Sequence, residues 1–262
     1  MRIEGEPGEA VLPAGSPLPA AAELAALETL EPEPALRRGP GRVTFRWRRP
    51  GGPEAIVKRY QGAGRGERLR ARLTGDSPRS PGRVEHDNLV ALRALGLAVP
   101  EAWGVHERGS LSLVVMEAVE HAEDLRRRLV RRPEDAQHFF EPLFELVDRL
   151  HGAGWYHRDL YLDHFLPRAD GEGLVLIDVG RARRDRRPRR RWFVKDLAAL
   201  LHSTPEALRG PRTLRFLTRW LDRRGLGGRR ERRRWARAIV AKERRMAAHV
   251  PRGGESFPGA EG

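Results

Sequence analysis

Two aspartates stand 19 positions apart in settings suited to chemistry: Asp159 closes the triplet His157-Arg158-Asp159, and Asp178 lies in Ile177-Asp178-Val179-Gly180. A carboxylate beside an acceptor hydroxyl takes up its proton, and a second carboxylate holds a divalent metal. Together with a fixed cation for phosphate oxygens, such a set serves phosphoryl transfer, which demands positioning and charge neutralisation more than covalent chemistry. The candidate cation is Lys58, at the end of the apolar run AIVK, and Glu85 on the following amphipathic segment is the carboxylate to hold it in place. Taken singly, a strand-end lysine, a helix glutamate and turn-forming aspartates are ordinary. Their order along the chain carries the reading.

The elements that must position these residues follow from pattern. VTFRW and AIVKRY, separated by the turn residues PGGP, make an antiparallel strand pair. Over 83–95 the apolar residues Val84, Leu89, Leu92 and Leu95 recur at helical spacing and stop at Gly96, a helix-ending residue. LSLVVMEAV has strand length, so the first half reads strand, strand, helix, strand, strand. A second helix spans 139–151, from the spacing of Phe140, Leu143, Phe144, Val147 and Leu150, and LVLIDVG is a short buried strand ending in glycine. Beyond it the chain reads as mostly helical. Ala20–Leu30 has the pattern for a helix of about three turns. The Gly-, Arg- and Ser-rich stretch 61–82 reads as a mobile insertion.

Those motifs resemble the protein-kinase signatures. AIVK is similar to the lysine strand, His157-Arg158-Asp159 to the catalytic loop, and Ile177-Asp178-Val179-Gly180 to the metal-binding turn. The resemblance implies an α+β, two-lobed fold: an N-lobe with an antiparallel sheet and one helix, then a mostly helical C-lobe. ATP and Mg²⁺ are its implied cofactors. Gly39 and Gly41 in RRGPGRVTF match the phosphate-covering loop only in part, and Met116, Glu117 and Ala118 fall where such a fold offers backbone to adenine. Protein kinases place a metal-binding asparagine five residues after the catalytic aspartate, and His164 stands there instead. Imidazole suits softer metals than Mg²⁺, so the site either tolerates Mn²⁺ or turns His164 toward phosphate.

HRDLYLDHFL, LIDVGRAR, RWFVKDLAALLHST and TLRFLTRWL together are similar to the lipopolysaccharide kinase family, over roughly Arg42 to Leu221. That family phosphorylates heptose or Kdo of the inner core and carries histidine in the HFL position, so the likeness implies an active sugar kinase. It also implies that Asp196, in Lys-Asp-Leu, supports the catalytic loop by accepting backbone N–H bonds. Domain limits follow: an N-terminal extension 1–37, partly disordered; the N-lobe, 38–118; the C-lobe, 119–250; and a flexible tail, 251–262.

Composition narrows the partners. Lys and Arg number 50 against 36 Asp and Glu, a formal charge of +14, with the basic excess after residue 125. Such a surface suits a phosphorylated or carboxylated sugar, an anionic glycolipid or an acidic membrane face; nucleic acid fits on charge alone and is disfavoured by the motifs. With no cysteine, thiolate chemistry and disulfides are excluded. His151 and His157 have no companions at zinc spacing, which leaves them packing and hydrogen-bonding roles. The N-terminal stretch lacks the basic and apolar regions of a leader, and no run approaches the ~20 apolar residues of a membrane span, so a cytoplasmic protein, peripheral at the inner membrane, is expected. Two other functions use the same fold: a kinase for protein or a small metabolite, and a catalytically silent module binding an anionic partner.

Overall fold

A computed structural model describes residues 19–248 apart from 33, 49–51, 63–68, 70–72, 74–77, 122 and 186–188. The expected disorder before residue 19, the flexible tail 251–262 and most of the 61–82 insertion lie outside the described residues. The chain forms two compact units, one running to His121 and taking in Val175–Arg181, the other holding 122–174 and the chain from Ala182 onward.

The first unit is built on a five-stranded antiparallel sheet. Its strands are β1 (Ala35–Gly39), β2 (Arg42–Arg48), β3 (Glu54–Gln61), β4 (Ala102–Arg108) and β5 (Leu111–Glu117), in the order β1-β2-β3-β5-β4. Register pairs Phe45 with Val57 and Val57 with Val115, and it pairs Thr44 with Lys58 and Lys58 with Val114. Because side chains alternate across a sheet, these two rows face opposite ways. One face holds an apolar cluster of Leu27, Phe45, Ala55, Val57, Trp103, Leu113 and Val115. The short helix α1 (Ala21–Ala26) brings Leu24 to that cluster, and Arg59 clamps the chain beyond it by donating to the carbonyls of Leu27, Glu28 and Leu30 at 2.7–3.1 Å. The helix is thus shorter than its sequence pattern suggests, and the segment after it is held by the sheet.

Helix α2 (Pro81–Ala94) covers the Lys58 face. Ser80 caps it by accepting the Arg83 N–H at 3.1 Å, Pro81 opens it, and Gly96, with φ of 72°, ends it in the left-handed conformation that glycine adopts without strain. Gly82 brings the helix close to β5: a Cβ there would lie 3.1 Å from the Leu113 backbone. The strand β8 (Leu174–Leu176) is tied to the chain after α2 by a bond from Leu176 N–H to the Ala98 carbonyl, 2.8 Å.

The second unit is helical, with α3 (Leu125–Arg131), α4 (Phe140–Gly152), α5 (Arg190–Ser203), α6 (Pro211–Asp222) and α7 (Arg229–Ala247). Between α4 and α5 run the short strands β6 (Trp155–Tyr156), β7 (Phe165–Pro167) and β9 (Arg183–Arg184), with β6 and β9 pairing antiparallel. Phe144, Leu150 and Trp220 are fully buried at its centre.

Candidate active site

In the first unit Lys58 sits within β3, three residues before the strand ends, and its side chain is almost wholly buried. Its Nζ donates to Glu85 Oε1 at 2.6 Å and to Asp178 Oδ1 at 2.9 Å. Burial works against the lysine's charge, but Glu85 and then Asp178 outweigh it and hold its pKa above the ordinary value. Glu85 has no exposed surface and accepts a further hydrogen bond from the Tyr60 hydroxyl. Burial first, then the negative Glu85, push that hydroxyl well above the usual tyrosine range, so it remains a donor to the carboxylate.

The Asp178 turn is fastened to α2. Asn88 Nδ2 donates to the Val179 carbonyl at 2.8 Å, and a Cβ at Gly180 would lie 3.2 Å from Glu85 Oε2. Asp178 itself has φ of 58°, a left-handed conformation costly for a side chain with a Cβ and tolerated where surrounding structure imposes it. Arg158, beside Asp159, is the other non-glycine residue with positive φ among the described residues, at 74°. Both outliers thus fall on the motifs singled out for chemistry.

Gly39 ends β1, paired to Arg42, and Gly41 is the second residue of the two-residue hairpin turn that leads into β2. Gly41 needs its glycine, since its φ is 67° and a Cβ would stand 3.2 Å from the Gln61 carbonyl, whereas a Cβ at Gly39 meets nothing within 4 Å. Met116 and Glu117 end β5 and Ala118 follows. The N–H of Glu117 donates to the Glu101 carbonyl at 2.9 Å and that of Ala118 to the Glu54 carbonyl at 3.3 Å, so both donors are engaged inside the protein.

In the second unit α5 is the platform. Fully buried Asp196 accepts the backbone N–H of His157 at 2.6 Å and of Arg158 at 2.7 Å, and Ser203 Oγ accepts the Leu162 N–H at 2.8 Å. Lys195, the neighbour of Asp196, reaches the side chain at issue: its Nζ is 3.3 Å from Asp159 Oδ1. His151 completes the support. Trp220 donates its indole N–H to His151 Nδ1 at 3.1 Å, which leaves Nε2 as the protonated nitrogen facing Asp196 Oδ2 at 3.3 Å. Burial lowers the imidazole's pKa, with Asp196 pulling the other way, in keeping with a neutral ring.

His164 lies in the turn after Asp159, its Nδ1 2.7 Å from the Asp159 carbonyl. A carbonyl only accepts, so Nδ1 carries a proton, which leaves Nε2 as the nitrogen that could serve a borderline metal. Among the described residues no three His, Asp or Glu side chains gather into a metal cluster. A Mg²⁺ ion beside a nucleotide uses one or two carboxylates with phosphate oxygens and water, and the hard oxygens of Asp178 fit that need.

Sequence reasoning did not pick out Lys195, Ser203 or Trp220. A signal for Ser203 was present in RWFVKDLAALLHST: it follows Asp196 by seven positions, two helical turns, which puts both on one face.

The lipopolysaccharide kinase (Kdo/WaaP) family model matches residues 39–219. The lipopolysaccharide core heptose(I) kinase WaaP of Pseudomonas aeruginosa is 34% identical over 187 residues, 64% of this chain and 69% of that protein. The RIO-type serine/threonine-protein kinase Rio1 of Haloferax volcanii is 39% identical over 101 residues, 38% of this chain and 33% of Rio1. Among solved structures, one of WaaP in complex with acyl carrier protein is similar with a TM-score of 0.64 and 28% identity, covering 86% of this chain and 91% of the WaaP chain.

Proposed function

The chain belongs to the lipopolysaccharide kinase (Kdo/WaaP) family, and we propose that it transfers the γ-phosphoryl group of ATP to a hydroxyl of a lipopolysaccharide inner-core sugar, heptose or Kdo. The observation that carries this reading is the buried Lys58–Glu85 pair at 2.6 Å with Asp178 on the same lysine at 2.9 Å, an arrangement suited to holding polyphosphate beside a divalent ion. Lys58 binds phosphate oxygens, and Glu85 keeps it pointed. Asp178 is the ligand for Mg²⁺, whose charge neutralises the transferring group when it is bound, and His164 makes the second position tolerant of Mn²⁺. Asp159 accepts the sugar hydroxyl's proton, on a loop that Asp196 holds through the N–H groups of His157 and Arg158. Residues 38–118 and 119–250 are the two lobes, with the 175–181 segment lending Asp178 to the first.

The acceptor is an anionic glycolipid or its sugar portion, reached at the cytoplasmic face of the inner membrane. Support comes from the formal charge of +14 and from the absence, among the described residues, of any helix long and apolar enough to cross a membrane. A second partner, acyl carrier protein, is favoured by one observation. The second unit holds an apolar cavity of about 240 Å³, lined by Leu129, Phe139, Leu143, Leu200, Phe216 and Ile239 among others, which suits an acyl chain, and the similar WaaP structure is a complex with acyl carrier protein.

The test is ATP consumption by the wild type and by Asp159→Ala with Mg²⁺ or Mn²⁺, offering heptose- or Kdo-containing core, a generic protein substrate, or no acceptor. Stimulation by the core sugar alone, lost in the variant, supports the reading. Stimulation by protein would move the chain to the protein-kinase alternative, and binding without turnover to the silent module.

A further inference from the structure

The turn that should cover nucleotide phosphates is poor in donors. It has two residues, Pro40 and Gly41, and Pro40 brings no N–H at all. Directly after it stands Arg42, the cross-strand partner of Tyr60, two positions before Thr44, the partner of Lys58. Alternation along β2 therefore points Arg42 to the same face as Lys58. Its guanidinium lies 3.7 Å from Asp178 Oδ1, the oxygen that also accepts Lys58 Nζ at 2.9 Å.

Two cations thus converge on one carboxylate oxygen. The charge of Lys58 is already matched by Glu85 at 2.6 Å. A partly exposed pair at 3.7 Å adds little to folding, so stability does not account for a second cation at this point. A polyphosphate does: once Asp178 serves a metal, Arg42 and Lys58 present positive charge to the same anionic group.

We propose that Arg42 is a phosphate-binding residue, its forked guanidinium gripping the nucleotide's polyphosphate where a longer glycine loop would supply backbone amides. The inference rests on the reading of the chain as an ATP-dependent kinase. Calorimetric titration of the full chain with ATP and with adenosine, in chelator and in Mg²⁺, compares the wild type with Arg42→Gln and Arg42→Lys. Arg42→Gln should weaken ATP about tenfold in both media, the loss expected for one charge-assisted contact, with adenosine unaffected. Arg42→Lys should fall between the two, and it carries the comparison if Arg42→Gln does not fold. Unchanged ATP affinity, an equal loss for adenosine, or a loss confined to Mg²⁺ would each overturn the inference. A wild type that binds no ATP would instead overturn the kinase reading.

Discussion

Glu85 is the residue on which the first half of the site turns. It lies fully buried between Lys58 Nζ and the Tyr60 hydroxyl, so replacing its charge leaves an ammonium in a dry setting with Asp178 as the carboxylate beside it. Breaking a buried pair from one side costs about 3 kcal/mol or more, and Glu85→Gln should lose that much in urea unfolding, with turnover falling in parallel. A loss well under about 1 kcal/mol would mean that the pair contributes no more than a surface one. His151 makes a different forecast. Its folded pKa is lowered by burial, against the pull of Asp196, with Arg224 and Asp148 as the other charged groups acting on it. Protonation therefore favours the unfolded chain: the stability it contributes is full above pH 6.5, the ordinary imidazole value, and is lost as pH falls through the folded-state pKa. Unfolding free energy should decline below that pH by up to about 1.4 kcal/mol per unit, and the slope should flatten in His151→Asn. An unchanged slope would show that His151 does not titrate on unfolding.

At the scale of elements, two helices do the positioning. Helix α2 brings Glu85 and Asn88 to Lys58 and to the Asp178 turn, and it depends on Gly82 to approach β5 closely. Gly82→Ala must push the helix outward, since its Cβ would meet Leu113 backbone at 3.1 Å; a cost of about 1–3 kcal/mol and a matching fall in turnover are expected. Full activity with native melting would show that α2 shifts without moving Glu85. Helix α5 does the corresponding work in the second unit through Lys195, Asp196 and Ser203.

Sequence pattern made α2 and α4 legible to within about two residues, because a buried apolar stripe repeats once per helical turn and capping residues mark its ends. Strand β1 was not legible: ALRRG is exposed over four of its five residues at the sheet edge, so it shows no alternation to read. The Lys58, Asp159 and Asp178 positions could be found from local motifs. Lys195 could not, for its partner Asp159 is 36 residues away and the two are joined by folding alone.

For the whole molecule, the basic side chains divide into those paired with carboxylates, which hold the fold, and the excess of 14, which is open to a partner. In the second unit Arg224 binds Asp148 at 2.6 Å and stacks on Trp220, Arg219 binds Glu145 at 3.2 Å, and Arg232 binds Asp222 at 2.8 Å. Each of these arginines is engaged with a carboxylate that the formal charge of +14 already counts, so the pairs hold the fold and leave that net charge unchanged. Residues 181–194 contain no Ser, Thr or Tyr, which fits an enzyme without a phosphorylation switch in that segment. Phosphoryl transfer from ATP to a core sugar would run through Asp159. Its most direct test is mass spectrometry of purified heptose- and Kdo-containing core after incubation with ATP and Mg²⁺, using the full chain and Asp159→Asn. One added phosphate on the sugar with the wild type and none with the variant is the predicted result; an unmodified sugar in both, or equal modification by the variant, would contradict the account.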